Sequence, residues 1–174
     1  MKKVWIILLA VFLLAGCAEK KTYETISDGL ESPKLPPKLE MSALMPAEAV
    51  SPVFSHSTAG KLYECGDCTI TMQTVVAGDF QGLIRDVTGY SPENLQIMES
   101  AQAGLTGYHT VWTAVGEGQT QVGRAYILSD GHYYYVLTAM VPENRASALS
   151  TGELKEMFST FRAAPEEEII SSGS

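Results

Sequence analysis

The chain has 174 residues, with 12 Lys and Arg against 20 Asp and Glu, and a formal net charge of −8. Nucleic-acid binding rests on neutralising phosphates with Lys and Arg, so this balance argues against a nucleic-acid partner. It argues equally against electrostatic docking onto anionic lipid. The length suits one domain of ordinary size with extensions.

The first seventeen residues have the order of an export signal, which is basic, then apolar, then small. Lys2 and Lys3 precede an apolar run at positions 4–14, and Leu14-Ala15-Gly16-Cys17 ends it. Read as a helix at about 1.5 Å per residue, the run extends roughly 16 Å. That is too short to cross the ~30 Å hydrocarbon core of a bilayer.

This pattern resembles the signal peptide of bacterial lipoproteins, in which a lipobox ends at the cysteine that is acylated. The resemblance implies cleavage after residue 16, a diacylglyceryl thioether on Cys17, and anchoring on the extracytoplasmic face of a cell membrane. An ordinary cleaved signal peptide is the alternative. Loss of residues 1–16 leaves 10 basic and 20 acidic side chains, a net charge of −10. The lipid, rather than a basic patch, would therefore hold the protein at the membrane, and two acyl chains suffice for that.

Composition divides the rest of the chain into three parts. Residues 17–40 are polar and broken by Pro33, Pro36 and Pro37, which predicts a lipidated N-terminus followed by a flexible tether. Residues 41–164 predict one globular domain. Residues 165–174 contain Glu166-Glu167-Glu168 and predict a disordered acidic tail.

Alternating and β-branched residues predict six strands, at 61–65, 69–76, 95–99, 108–115, 120–128 and 133–140. Gly66-Asp67 between the first two strands suits a tight hairpin. Asp130-Gly131 before the last strand is a candidate type I′ turn. Trp112 is expected in the core, and His132 is expected to be a solvated turn residue.

Two helices are predicted from apolar spacing and capping residues. The first has Asp79 as its N-cap and Gly89 at its C-terminal end, with apolar residues at helical spacing between them. The second begins near Ser150, whose spacing to Glu153 is that of a capping box. Its apolar stripe comprises Leu154, Met157, Phe158 and Phe161.

The element order ββ-α-ββββ-α predicts an α+β domain, with a meandering antiparallel sheet of about six strands and helices covering a face. From about residue 41 to 162 this order resembles the PsbP/Mog1-like fold, as do an early Met45-Pro46 segment and the closing helix around Met157-Phe158. The resemblance implies an accessory or binding role and supplies no catalytic residue.

Cys65-Gly66-Asp67-Cys68 is the sharpest local pattern in the domain, and three interpretations remain open. A disulfide across the hairpin end suits an extracytoplasmic protein. A redox pair would need a thiolate stabilised at a helix N-terminus, but a strand pattern follows Cys68, and Glu64 and Asp67 are acidic. A metal site would need further ligands, and the histidines show no paired spacing; they are His56, His109 and His132.

The remaining motifs indicate no reaction. There is no nucleophile elbow, zinc-protease motif or phosphate-binding loop. Tyr133-Tyr134-Tyr135 is a possible stacking surface for a small ligand, but the favoured interpretation buries the outer two rings and leaves the middle ring on an open face. We therefore expect no catalytic residue, no metal and no cofactor.

The sequence predicts a membrane-anchored, non-enzymatic binding or accessory domain of the cell envelope, whose partner is an envelope protein or a small ligand. A membrane-tethered thiol–disulfide protein that uses Cys65 and Cys68 is the alternative.

Overall fold

The computed structural model describes residues 34–49, 54–56, 60–116 and 118–171. The predicted signal peptide, Cys17 and most of the predicted tether lie outside these residues. In the ranges that are described, no helix has both the length and the apolar character needed to cross a membrane.

The described strands form two antiparallel sheets. Seven of them make the main sheet, in the order β2-β3-β4-β8-β7-β6-β5, and β1 pairs with β9 separately. The strands are β1 (Glu40–Ser42), β2 (Phe54–His56), β3 (Gly60–Cys65), β4 (Cys68–Val76), β5 (Ile97–Gln102), β6 (Leu105–Gly116), β7 (Gln119–Ser129), β8 (Tyr133–Pro142) and β9 (Arg162–Ala164). The α-helices are α1 (Phe80–Thr88), α2 (Gly152–Thr160) and α3 (Glu166–Ser171). The α+β class and the six predicted strands are confirmed, and β2 adds a seventh strand at one edge.

One helix covers each face of the main sheet. Leu83 and Ile84 of α1 cluster with Val136, whereas Met157 of α2 clusters with Leu137 on the other side of the same strand. We call these two sides the α1 face and the α2 face. Because both faces of the central strands are buried, β8 and residues 125–128 of β7 are almost continuously apolar.

Coverage of both faces explains the three successive tyrosines of β8. Tyr133 and Tyr135 are buried on the α2 face, at 5% and 0% exposure. The prediction that Tyr134 lies on an open face is wrong, because its half-buried ring lies 5.7 Å from that of Phe80 in α1. Trp112 is in the core as predicted. Its ring lies across Gly123, where a Cβ atom would fall 2.4 Å from the ring carbons.

The caps of α1 follow its sequence. The Asp79 side chain accepts a hydrogen bond from the Gly82 backbone N–H at 2.9 Å. Gly89 ends the helix in the left-handed conformation, with φ of 79°, and its N–H donates to the Arg85 carbonyl. Both predicted caps are confirmed.

The predicted capping box of α2 is wrong. The helix begins at Gly152 with Thr151 as its N-cap, and no side chain caps it. The Glu153 carboxylate instead accepts a hydrogen bond from the Ala47 backbone N–H at 3.3 Å, a tertiary contact that sequence spacing does not reveal. The apolar stripe of α2 is nevertheless buried as predicted, from Leu154 to Phe161.

Two further details differ from the sequence interpretation. The turn before β8 is not type I′, because Gly131 has φ of 87° while no positive φ occurs at Asp130 or His132. His132 itself is exposed, as predicted. The acidic segment after Pro165 forms the short helix α3, where the sequence indicated a disordered tail. The outer limits of the domain at residues 41 and 164 stay a prediction.

Candidate functional site

The two cysteines of the domain lie at the closed end of the β3–β4 hairpin. Cys65 and Cys68 are register partners, and Gly66 between them has φ of 63°. This confirms the predicted tight hairpin. Both residues are free thiols in the structure, Cys65 half-buried and Cys68 buried, so the disulfide stays a prediction.

The surroundings of the thiols disfavour their thiolate forms. Burial raises the pKa of Cys65 above its usual value, and the carboxylates of Glu48 and Glu153 raise it further. The Cys65 Sγ lies 3.9 Å from Oε2 of Glu48. Burial is also the main cause that raises the pKa of Cys68 to about 12, with Cys65 and Asp67 adding to it. A reactive cysteine has the opposite environment, with nearby positive charge and a lowered pKa.

The fold, rather than the local sequence, supplies most of this negative charge. Asp67 raises both thiol pKa values, as its position in the sequence indicates. The side chain of Glu64, however, points to the opposite face of β3 from Cys65, because side chains alternate along a strand. Arg145 lowers both thiol pKa values, but it forms an ion pair with Asp67 at the surface and does not outweigh the other causes. The residues around the thiols enclose a pocket of about 290 Å³.

The tyrosines of β8 bind the chain's own N-terminal segment. The Tyr133 hydroxyl donates to the Pro36 carbonyl at 3.0 Å. The Tyr135 hydroxyl donates to Oδ2 of Asp130 at 2.7 Å and accepts from the Leu39 N–H at 3.0 Å. Residues 36–39 therefore lie against the domain, and they occupy the surface at which a stacked ligand was considered.

A second cleft, of about 460 Å³, opens on the α2 face between the sheet and α2. His109 and Arg124 lie in it on the neighbouring strands β6 and β7, and Lys155 and Phe158 line it from α2. The His109 ring stacks on Tyr126, with centroids 3.8 Å apart and planes 25° apart. The cleft thus brings together three nitrogen-bearing side chains that are distant in sequence.

Packing and hydrogen bonds position the Arg124 guanidinium. Its Cζ lies 4.5 Å from the centre of the Phe158 ring, and Nη1 donates to the Leu149 carbonyl at 2.7 Å. The adjacent Tyr126 hydroxyl donates to Gln102, whose Nε2 donates in turn to the Phe161 carbonyl at 2.9 Å. These contacts hold the Arg124 guanidinium and the Tyr126 ring in place at the floor of the cleft.

The cleft carries positive charge that no carboxylate of the described residues neutralises through an ion pair with Arg124 or Lys155. Burial lowers the pKa of Arg124. Burial also lowers the pKa of His109, and the charge of Arg124 lowers it further. The cleft thus brings two cationic side chains, Arg124 and Lys155, together in a chain with a net charge of −8. Such a cleft suits an anion.

Sequence reasoning did not find this cleft. It considered His109 only as one of three histidines without paired spacing, and it did not select Arg124 or Lys155. One signal was present in β7, where Val122, Arg124, Tyr126 and Leu128 share a face. A charged residue among buried apolar neighbours marks a candidate site.

Within the described part of the chain, no group of three His, Cys, Asp or Glu side chains is placed so that it could hold a metal ion. The predicted lipidation site, Cys17, lies outside that part.

No protein-family model matches the chain. No curated protein shows significant similarity to it. Among solved structures, a protein of Bacteroides thetaiotaomicron VPI-5482 matches at 12% identity and a TM-score of 0.48, over 73% of this chain and 46% of that one. The chain therefore spans less than half of that protein. LpqN of Mycobacterium tuberculosis, described as involved in cell envelope biogenesis, matches at 13% identity and a TM-score of 0.48, over 75% of this chain and 86% of that one. Similarities this distant do not bear on the ligand or the partner of this chain.

Proposed function

We propose that this protein is a lipoprotein anchored to a cell membrane through Cys17, and that its domain performs a non-enzymatic binding or accessory role on the extracytoplasmic face. The sequence Leu14-Ala15-Gly16-Cys17 after a basic and apolar start carries the proposal. It takes no support from the two distant structures.

The environment of the cysteines supports a binding role over thiol–disulfide exchange. Exchange requires an attacking thiolate, whereas burial and the nearby carboxylates raise the pKa values of Cys65 and Cys68. The exchange alternative would require a reduction potential near −120 to −270 mV. A structural disulfide would lie below about −300 mV.

Fractionation of bacterial cells that express the full chain tests the anchor. The wild type should remain with membranes and partition into detergent, whereas Cys17→Ser should be lost from both fractions. Cys65→Ser is the matched control, because it removes a cysteine but leaves the lipobox intact, and it should fractionate like the wild type. Equal fractionation of the wild type and Cys17→Ser would refute the proposal.

Protease treatment of intact cells or spheroplasts tests the face of the membrane. The domain should be digested without lysis, while a cytoplasmic marker protein survives. Protection of the domain until lysis would contradict the extracytoplasmic placement.

A further inference from the structure

Two exposed apolar residues adjoin the positive cleft between β6, β7 and α2 by strand register, next to residues that line it. Met98 is the register partner of His109, and Val111 is the register partner of Arg124, so each pair shares the α2 face. Both apolar side chains are solvent-exposed, Met98 at 57% and Val111 at 55%. Directly opposed residues on one face have Cβ atoms about 4.5–5.5 Å apart. The exposed apolar groups therefore adjoin the cationic ones.

The charges of the cleft favour a particular head group. Arg124 and Lys155 are cationic side chains, and the His109 ring lies beside them in the cleft with its Nε2 hydrogen-bonded to Ser100 at 3.2 Å. A phosphate monoester carries about −1.5 to −2 charges at neutral pH. Two cationic side chains therefore balance the charge of a phosphate monoester better than the single charge of a carboxylate. The Arg124 guanidinium uses Nη1 for the Leu149 carbonyl, which leaves donors on its other nitrogens for phosphate oxygens.

We propose that this cleft binds an organic phosphate monoester, with the phosphate at Arg124, Lys155 and His109 and an apolar substituent over Met98 and Val111. The inference deepens the binding role proposed above by naming a ligand class. It rests on the binding part of that proposal and not on the anchor. Fractionation measures the anchor and titration measures the ligand, so failure of one is distinguishable from failure of the other.

Titrations of the full chain, purified in a neutral maltoside detergent, test the proposal. The probes are n-butyl phosphate, inorganic phosphate, pentanoate and neutral n-butanol. Binding is followed by calorimetry and by the NMR signals of the His109 ring, with exposed His132 as the internal reference. Butyl phosphate should bind about tenfold more tightly than inorganic phosphate, because part of its alkyl chain leaves water. Butanol should not bind.

A bound phosphate should also raise the pKa of His109, because a nearby negative charge favours the imidazolium. The ring signals of exposed His132 should not respond to the ligand. If the His109 signals do not respond to either phosphate probe, the proposal is overturned. Tighter binding of pentanoate than of butyl phosphate would overturn the phosphate assignment, and equal affinity for the two phosphates would overturn the apolar part.

Substitutions then assign the contacts. Arg124→Gln should weaken butyl phosphate binding about tenfold or more, since hydrogen bonds to charged groups are the stronger ones. Lys155→Gln should weaken it about threefold, because this side chain is exposed. Arg85→Gln is the matched control, because Arg85 is exposed on α1, which packs on the opposite face of the sheet, and this variant should bind like the wild type.

Two outcomes keep the test independent of folding defects. Lys155 is at the surface, so its loss leaves the core intact, and unchanged affinity in Lys155→Gln together with Arg124→Gln would overturn the proposal. The double variant Met98→Ser/Val111→Ser should abolish the advantage of butyl phosphate over inorganic phosphate without weakening binding of the latter. An advantage that persists in the double variant would place the alkyl chain elsewhere and contradict the assignment.

Discussion

Removal of the Phe158 ring should cost the domain a large part of its stability. The nine-residue helix α2 lacks a side-chain cap, and isolated helices of this length are marginal in water. Packing therefore has to stabilise it. Phe158 is 2% exposed and stacks with the Arg124 guanidinium. Truncation of a fully buried aromatic ring costs about 3–5 kcal/mol, and loss of the cation–π contact adds up to about 1 kcal/mol.

Urea denaturation of the purified full chain, followed by circular dichroism in one detergent, measures this loss for Phe158→Ala. Glu156→Ala is the matched control, since Glu156 is exposed on the same helix, and it should stay within about 0.5 kcal/mol of the wild type. A loss below about 1 kcal/mol for Phe158→Ala would refute the packing of α2 on the sheet.

Three further predictions concern other groups of the domain. Burial raises the pKa of Asp130, but the hydrogen bonds that its carboxylate accepts outweigh this effect and lower the pKa. The stabilisation that this carboxylate gives the folded state is therefore complete above the unfolded pKa near 4, and it is lost as the pH falls through the folded pKa. Asp130→Asn should therefore cost about 1.5–3 kcal/mol at pH 7, and a deficit unchanged at pH 2 would contradict this. The buried Thr110 hydroxyl has no hydrogen-bond partner among the described residues, so Thr110→Val should leave stability unchanged or raise it by up to about 1 kcal/mol in thermal melts. Thr88→Val removes a hydroxyl that donates to Ile84 at 2.7 Å, and it should instead cost about 1 kcal/mol; equal effects of the two changes would refute the distinction. After reduction, the pKa of Cys65 should lie above that of an ordinary thiol and that of Cys68 should be near 12 in a thiolate absorbance titration, whereas a thiol pKa near 6 would restore the exchange alternative.

Local patterns predicted the elements of this fold. Asp79 and Gly89 mark the ends of α1 because capping is a property of neighbouring residues. The hairpin at Gly66 and the buried stripe of α2 followed for the same reason. Strand order, by contrast, depends on β4 pairing with β8, a contact far apart in the chain.

The errors arose where tertiary contacts override local chemistry. Glu153 has capping-box spacing, but its carboxylate accepts a hydrogen bond from the Ala47 backbone N–H instead of capping α2. Strand alternation places Tyr134 on the face opposite to Tyr133 and Tyr135, which indicated a solvent-facing side chain, but α1 packs over that face. The cleft was missed because Arg124 and Lys155 meet only through folding. A charged residue on the buried face of β7 was the single local sign of it.

Intact-mass spectrometry of the chain purified from bacterial membranes tests the membrane anchor most directly. We expect a mature chain that begins at Cys17 and carries the added mass of a diacylglyceryl group. That mass should be absent from Cys17→Ser. A wild-type chain that begins at any other residue, or that begins at an unmodified Cys17, would contradict anchoring by lipid.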